Sequence, residues 1–255
     1  MRLVDSHCHL DAPEFDPDRA EVLARARQAG IDRQVVPAVS AARWPRLRGV
    51  CAAMPGLFPA YGLHPLYLSR HRPQDLEALR HWIETERPLA IGECGLDFHV
   101  PGLDPARQLA FFEGQLALAV EYDLPVIVHA RKAVEQVLLA IRRHPGVRGV
   151  VHSYGGSPEQ AAQLWQRGFL LGLGGPLTYP GAHRLHRLVR QMPLEQLLLE
   201  TDAPDQPDAG IRGQRNEPAR LVAVLQAVAG LRAAPAERIA AQTTLNAERL
   251  FRLPE

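Results

Sequence analysis

The feature that most constrains this chain is an alternation. Eight short apolar runs recur in 255 residues, with amphipathic stretches after most of them. The runs are Leu3–Leu10, Ile31–Ser40, Leu57–Pro65, Leu89–Leu96, Pro125–Ala130, Gly149–Tyr154, Phe169–Gly174 and Leu197–Thr201. Their length suits strands better than helices. Helical patterns cover Asp16–Gly30, Pro73–Glu86, Pro105–Tyr122, Val134–Arg143, Pro158–Arg167, Pro218–Leu231 and Pro235–Leu250. Leu109, Phe112, Leu116 and Val120 lie at the three-to-four spacing of one helix face. Strand-then-helix units in series predict a parallel sheet. Eight apolar runs so punctuated, in a chain near the ~250 residues usual for the fold, predict an α/β protein of the (β/α)8 TIM-barrel type. No linker or low-complexity tract interrupts the series, so residues 1–255 read as a single domain. An open doubly wound sheet is the alternative. Its dinucleotide-binding form loses support because no Gly-x-Gly-x-x-Gly opens the first helix.

Composition bears on partners and compartment. Lys and Arg number 29 against 28 Asp and Glu, a net charge of +1, so nothing draws the whole molecule toward a polyanion and any such site is a local patch. Cys8, Cys51 and Cys94 are odd in number and form no disulfide framework. No apolar leader opens the chain, and no apolar run approaches the ~20 residues of a membrane span. The expectation is a cytoplasmic protein with no membrane association and no obligate protein partner.

The chemistry gathers where the apolar runs stop. The first run ends in Asp5-Ser6-His7-Cys8-His9-Leu10-Asp11. In an extended strand alternate side chains share a face, so His7 and His9 would point to one metal ion and Cys8 into the core. Glu93 follows Ala90-Ile91-Gly92, His129 follows Val126-Ile127-Val128, His152 follows Val150-Val151, and Asp202 follows Leu197 to Thr201. In a β/α barrel the C-terminal rim of the strands is where active sites are built. Donors from strands one, four, five, six and eight would meet there. Four imidazoles and two carboxylates suit two divalent cations of the Zn, Mn or Mg type, and a carboxylate between them can bridge.

Taken together, these segments resemble the TatD family of metal-dependent hydrolases, within the amidohydrolase-like barrel superfamily. The resemblance rests on Asp5 to Asp11, Gly62-Leu63-His64-Pro65, Ile91 to Phe98, Val128-His129-Ala130-Arg131, the segment after His152, Glu200-Thr201-Asp202-Ala203-Pro204 and Arg215-Asn216-Glu217-Pro218, in family order over nearly the whole chain. It implies that His7, His9 and Asp202 bind one metal, that His129 and His152 bind a second, and that Glu93 bridges them. It also implies divalent-metal-dependent DNase activity, often exonucleolytic. One segment departs: Ser153-Tyr154-Gly155-Gly156 stands where the better studied DNases resemble Cys-Phe-Thr-Gly, a difference that bears on substrate preference.

Lys132 is the only lysine in the chain and follows strand five, so the carboxylated lysine that bridges metals on strand four of many amidohydrolases has no counterpart here. A metal pair would activate a shared water. Asp202 is the candidate general base, beside the bridging Glu93. His64, Arg131, Lys132 and Arg215 are the candidates to grip phosphates of DNA or another phosphodiester. Asn216 and Pro218 read as a helix entrance. His71, His81, His144, His183 and His186 read as surface residues. Two other functions fit the ligand set: hydrolysis of a small amide, lactone or phosphoester, and a metal-retaining binding protein without catalysis.

Overall fold

The structure is a computed structural model that describes residues 2–254. Its strands are β1 (Leu3–Asp5), β2 (Ile31–Pro37), β3 (Leu57–Tyr61), β4 (Ala90–Asp97), β5 (Val126–Arg131), β6 (Gly149–Val151), β7 (Phe169–Leu173) and β8 (Leu197–Leu199). Its helices are α1 (Arg19–Gln28), α2 (Trp44–Ala53), α3 (Gln74–Glu86), α4 (Pro105–Glu121), α5 (Val134–Arg143), α6 (Pro158–Trp165), α7 (His183–Gln191), α8 (Leu221–Arg232) and α9 (Ala236–Phe251). The eight strands form one sheet in sequence order, and the strand pairs whose register is defined are parallel. Ser6 N donates to Leu199 O at 3.0 Å, which joins the end of β1 to the end of β8. This is the (β/α)8 fold read from the alternation. No single helix among the described residues is long and apolar enough to cross a membrane.

Two compact units divide the chain. One comprises Met1–Val36, Met54–Leu57 and Leu171–Glu255; the other comprises Pro37–Ala53 and Phe58–Leu170. In the first, α9 packs on β1 and β8. Asn246 donates from Nδ2 to the Leu194 and Leu197 carbonyls, both at 2.8 Å, tying α9 to the start of β8. In the second, β4 is buried along its whole length, as a parallel strand covered on both faces must be. Helix α5 buries Val134, Val137, Leu138 and Ile141, a stripe of helical period. Helix α6 opens on a capping box, Ser157 with Gln160.

Helices α2 and α7 have no counterpart in the sequence reading. Helix α2 buries only Trp44, Leu47 and Cys51, and α7 only Leu188 and Val189, stripes too narrow to stand out among their arginines. The strands are also shorter than the apolar runs. β1 stops at Asp5 because its own carboxylate captures the next available backbone donor, His7 N, at 3.2 Å. Such an Asx turn takes the chain out of the ladder.

Candidate metal centre

The first unit brings three donors together. His7 Nε2 lies 3.2 Å from His9 Nε2 and 3.3 Å from Asp202 Oδ1, and His9 Nε2 lies 3.5 Å from the same oxygen. The alternation that led to this pair does not operate, since both histidines lie beyond the end of β1. Their convergence comes from two backbone bonds instead. Asp202 N donates to His7 O at 2.9 Å, and His9 N donates to Ala203 O at 2.7 Å. Asp5 supports the same junction by accepting Thr201 N at 3.0 Å and Thr201 Oγ1 at 2.6 Å. Burial pushes the Asp5 carboxyl up to about 7, against the downward pull of Thr201 and of the His7 N–H. Asp202 adopts a left-handed φ of 56°, which aspartate tolerates, and its Oδ2 accepts from Gln206 Nε2.

The second unit holds another group. Glu93 Oε1 is 2.7 Å from His152 Nε2, 3.2 Å from His129 Nδ1 and 2.9 Å from His64 Nε2, while His129 Nδ1 and His152 Nε2 are 3.3 Å apart. The ring partners sort these histidines. Asp97 Oδ2 sits 2.9 Å from His129 Nε2. The carboxylate takes that N–H and leaves the Nδ1 lone pair facing Glu93 and His152, the arrangement that orients a metal-binding imidazole. Burial opposes the Asp97 charge, but the His129 contact and the N–H groups of Val100 and His99 outweigh it and hold its carboxyl well below the usual range. Burial likewise pulls the His129 imidazole down, and Asp97 with Glu93 more than restores it. His64 is the opposite case. Its Nδ1 accepts Leu66 N at 3.1 Å, so in the neutral ring the proton sits on Nε2 and points at Glu93. His64 Nε2 thus faces Glu93, in a residue that the sequence analysis offers as a phosphate contact.

Close packing fixes both ends of this group. A Cβ on Gly95, at φ 135°, would lie 2.1 Å from His129 O, and one on Gly62 would lie 2.5 Å from the Gly92 carbonyl carbon. Glycine at these two sites lets β4 run against its neighbours. Two buried glutamines of α4 complete the frame. Gln108 accepts Asp97 N and donates to Asp97 O; Gln115 does the same for Leu63.

The donor sets fit divalent cations. Ligand atoms about 2.1 Å from one ion lie roughly 3.0–3.5 Å apart in octahedral or tetrahedral sites, and the separations within His7, His9 and Asp202 fall there.

The sequence pattern of the family described as TatD related DNase matches residues 4–252. The chain belongs to the TatD family. It is 40% identical to the uncharacterized metal-dependent hydrolase YjjV of Escherichia coli K12 over 258 aligned residues, 99% of each chain. It is 34% identical to a protein of Erwinia tasmaniensis named 3'-5' ssDNA/RNA exonuclease TatD, covering 98% of this chain and 100% of that one. The crystal structure of the Escherichia coli YjjV TatD homologue superposes with a TM-score of 0.95 at 38% identity, over 99% of both chains.

The other residues singled out in this TatD chain fall in varied places. Arg131 and Lys132 are exposed just past His129 and have no side-chain ion pair among the described residues. Arg215 is engaged: its guanidinium grips both oxygens of Asp18 at 2.8 and 2.7 Å, donates to Glu14 O and covers the Phe15 ring. Cys8 and Cys94 are fully buried, their thiols directed at Gln34 Oε1 and Ile127 O. His71 corrects the surface reading. It is buried, and its Nε2 contacts His64 O at 2.8 Å. Asn216 is not a cap but a staple: its buried Nδ2 donates to Thr201 O at 2.8 Å and Asp205 O at 2.9 Å. Helix α8 begins only after a 3-10 turn at Pro218–Arg220.

Proposed function

We propose that this TatD-family chain is a divalent-metal-dependent phosphodiesterase that shortens DNA from an end, and that residues 1–255 act as one catalytic domain. The carrying observation is the spacing of His7, His9 and Asp202, three donors set as one cation requires. The name of the Erwinia relative supports nucleic acid as substrate. Two cations of the Mg, Mn or Zn class are the proposed cofactors; His7, His9 and Asp202 would hold one, His129 and His152 the other, and Glu93 would be the carboxylate shared between them, as the family pattern implies. Bound there, such ions supply an activated water near neutral pH and a clamp for phosphate oxygens. Asp202 would accept a proton on Oδ2, the oxygen to which Gln206 Nε2 donates. His64 holds Glu93 through its Nε2 proton, and Asp97 holds His129. Arg131 and Lys132 contact substrate phosphates; Arg215 joins them only by leaving Asp18. The three buried cysteines, none of them in a disulfide, accord with a reducing cytoplasm as the working compartment.

Stripped protein reloaded separately with Mg2+, Mn2+ or Zn2+ is given end-labelled oligonucleotides beside a panel of small esters, lactones and amides. Stepwise shortening of the oligonucleotide is expected, with Asp202→Asn reducing turnover at least ~10²-fold at an unchanged circular dichroism spectrum. Rapid turnover of a small amide or lactone with intact oligonucleotide overturns the reading. Saturating titration is expected to load two ions, and Glu93→Gln to disturb them.

A further inference from the structure

On a nearly neutral chain, the side chains readiest to hold a polyanion are cations that its own carboxylates leave unpaired. Many arginines are paired, as Arg25 is with Glu217 and Arg220 with Asp208. Arg43 and Arg70 are different. Among the described residues neither side chain makes an ion pair or hydrogen bond, yet both guanidinium groups lie against one ring, Tyr67, at 5.9 and 5.4 Å from its centroid. Two like charges on one ring repel, and both keep all their N–H donors for an anion. The ring is half-buried and makes an edge-to-face contact with His64 at 6.0 Å, and His64 Nε2 is 2.9 Å from Glu93. The platform is thus one side chain away from the proposed metal-binding carboxylate.

Its support is a hydrogen-bonded turn. Tyr67 sits in the 3-10 turn Pro65–Arg70, which is held by Leu66 N on His64 Nδ1, by Tyr67 N and His71 Nε2 on His64 O, and by His71 N on Leu68 O. Arg43 comes from the separate 3-10 turn Ala41–Arg43 ahead of α2. Once the two guanidinium groups swing from the ring onto phosphates, the aromatic face they leave matches an unpaired base beside those phosphates; a duplex would offer only the phosphates.

We propose that Tyr67, Arg43 and Arg70 form a subsite that stacks one base of a single-stranded oligonucleotide and grips its adjacent phosphates, next to the Glu93 group. The assignment rests on the phosphodiesterase reading and names the side chains that would hold the strand there.

The test uses Mn2+-loaded protein in an Asp202→Asn background. Binding of a fluorescein-labelled oligothymidylate is followed by anisotropy across a salt series. Arg43→Gln with Arg70→Gln should raise Kd at least tenfold and flatten the log–log salt slope by about 1.4, at ~0.7 per lost phosphate contact. Tyr67→Leu should raise Kd roughly 5- to 150-fold, and Tyr67→Trp should restore binding. In the active enzyme the double arginine variant should lose at least tenfold more kcat/KM on the oligonucleotide than on bis(4-nitrophenyl) phosphate. Unchanged Kd and slope in the arginine variant, with the oligonucleotide still cleaved by the active enzyme, overturn the subsite alone. Equal binding by Tyr67→Leu and Tyr67→Trp overturns the stacking. A wild-type enzyme that neither binds nor cuts the oligonucleotide, yet hydrolyses small esters, overturns the subsite together with the reading beneath it.

Discussion

At the scale of single residues, the choice of ring nitrogen divides the histidines by role. His129 offers Nδ1 because Asp97 occupies Nε2, whereas His64 offers a proton because Leu66 N occupies Nδ1. Asp97 is able to do this because its other oxygen accepts His99 N at 2.8 Å and Val100 N at 3.0 Å, which keeps it ionised. Removing that charge frees the His129 ring to turn and to change tautomer. Asp97→Asn should therefore weaken cation binding at His129 and His152 by about 10- to 100-fold, the usual loss for an outer partner. Calorimetric titration with Mn2+ reads this directly. Binding equal to wild type would remove Asp97 from the support of the centre.

At the scale of elements, one device recurs where the strands stop. Asp5 captures His7 N, Asp97 captures His99 N, and Thr201 Oγ1 accepts Ala203 N at 3.3 Å. Each bond skips one residue and turns the chain out of its ladder just where a donor must be presented. The loop after β8 is then pinned by Asn216. Asn216→Ala leaves the Thr201 and Asp205 carbonyls without that donor, a cost of about 1–3 kcal/mol for buried groups. It should also lower affinity at His7, His9 and Asp202 more than at His129 and His152, as site-resolved metal titration would show; equal losses would make Asn216 a purely structural staple. Farther along the loop, Asp208 holds Arg220 at 2.7 and 2.9 Å. Arg220, against the opposing effect of burial, lowers the Asp208 carboxyl below its ordinary 3.8. A depressed carboxylate stabilises the fold above its unfolded value and loses that contribution as pH falls through its folded one. The melting-temperature gap between wild type and Asp208→Asn should stay constant above about pH 5 and narrow below pH 4. A gap that widens in acid would mean that Asp208 is not held ionised by Arg220.

The same elements explain what the sequence made legible. His7, Glu93, His129, His152 and Asp202 stand out because a polar group ending an apolar run is visible without coordinates. The supporting residues are not visible in that way. Asp97 lies in the run Gly92-Glu93-Cys94-Gly95-Leu96-Asp97, but its role depends on which nitrogen of a residue 32 positions away it meets. His64 and His71 depend on a 3-10 turn that leaves no periodic signature. The pairing of His7 with His9 was reached through strand alternation, whereas a turn and two backbone bonds bring the rings together.

At the scale of the whole molecule, the eight strand–helix units supply the frame, and the two compact units contain one complete donor group each: His7, His9 and Asp202 in the first, Glu93, His129 and His152 in the second. Ligands that bind only the folded chain add to its stability, about 2.7 kcal/mol for a site at one hundred times its Kd. For a chain near this size each kcal/mol raises the melting temperature by about 2–4 °C. Each loaded group should therefore contribute about 5–11 °C, and the two should be separable by mutation. His9→Gln should cancel the increment from the first group and leave the second; His129→Gln should do the reverse. Differential scanning calorimetry of stripped and Mn2+-loaded wild type and variants measures both. If either single variant abolished the whole shift, the stabilisation would come from one ion, and the proposed pair of cations would fail even with the catalytic reading intact.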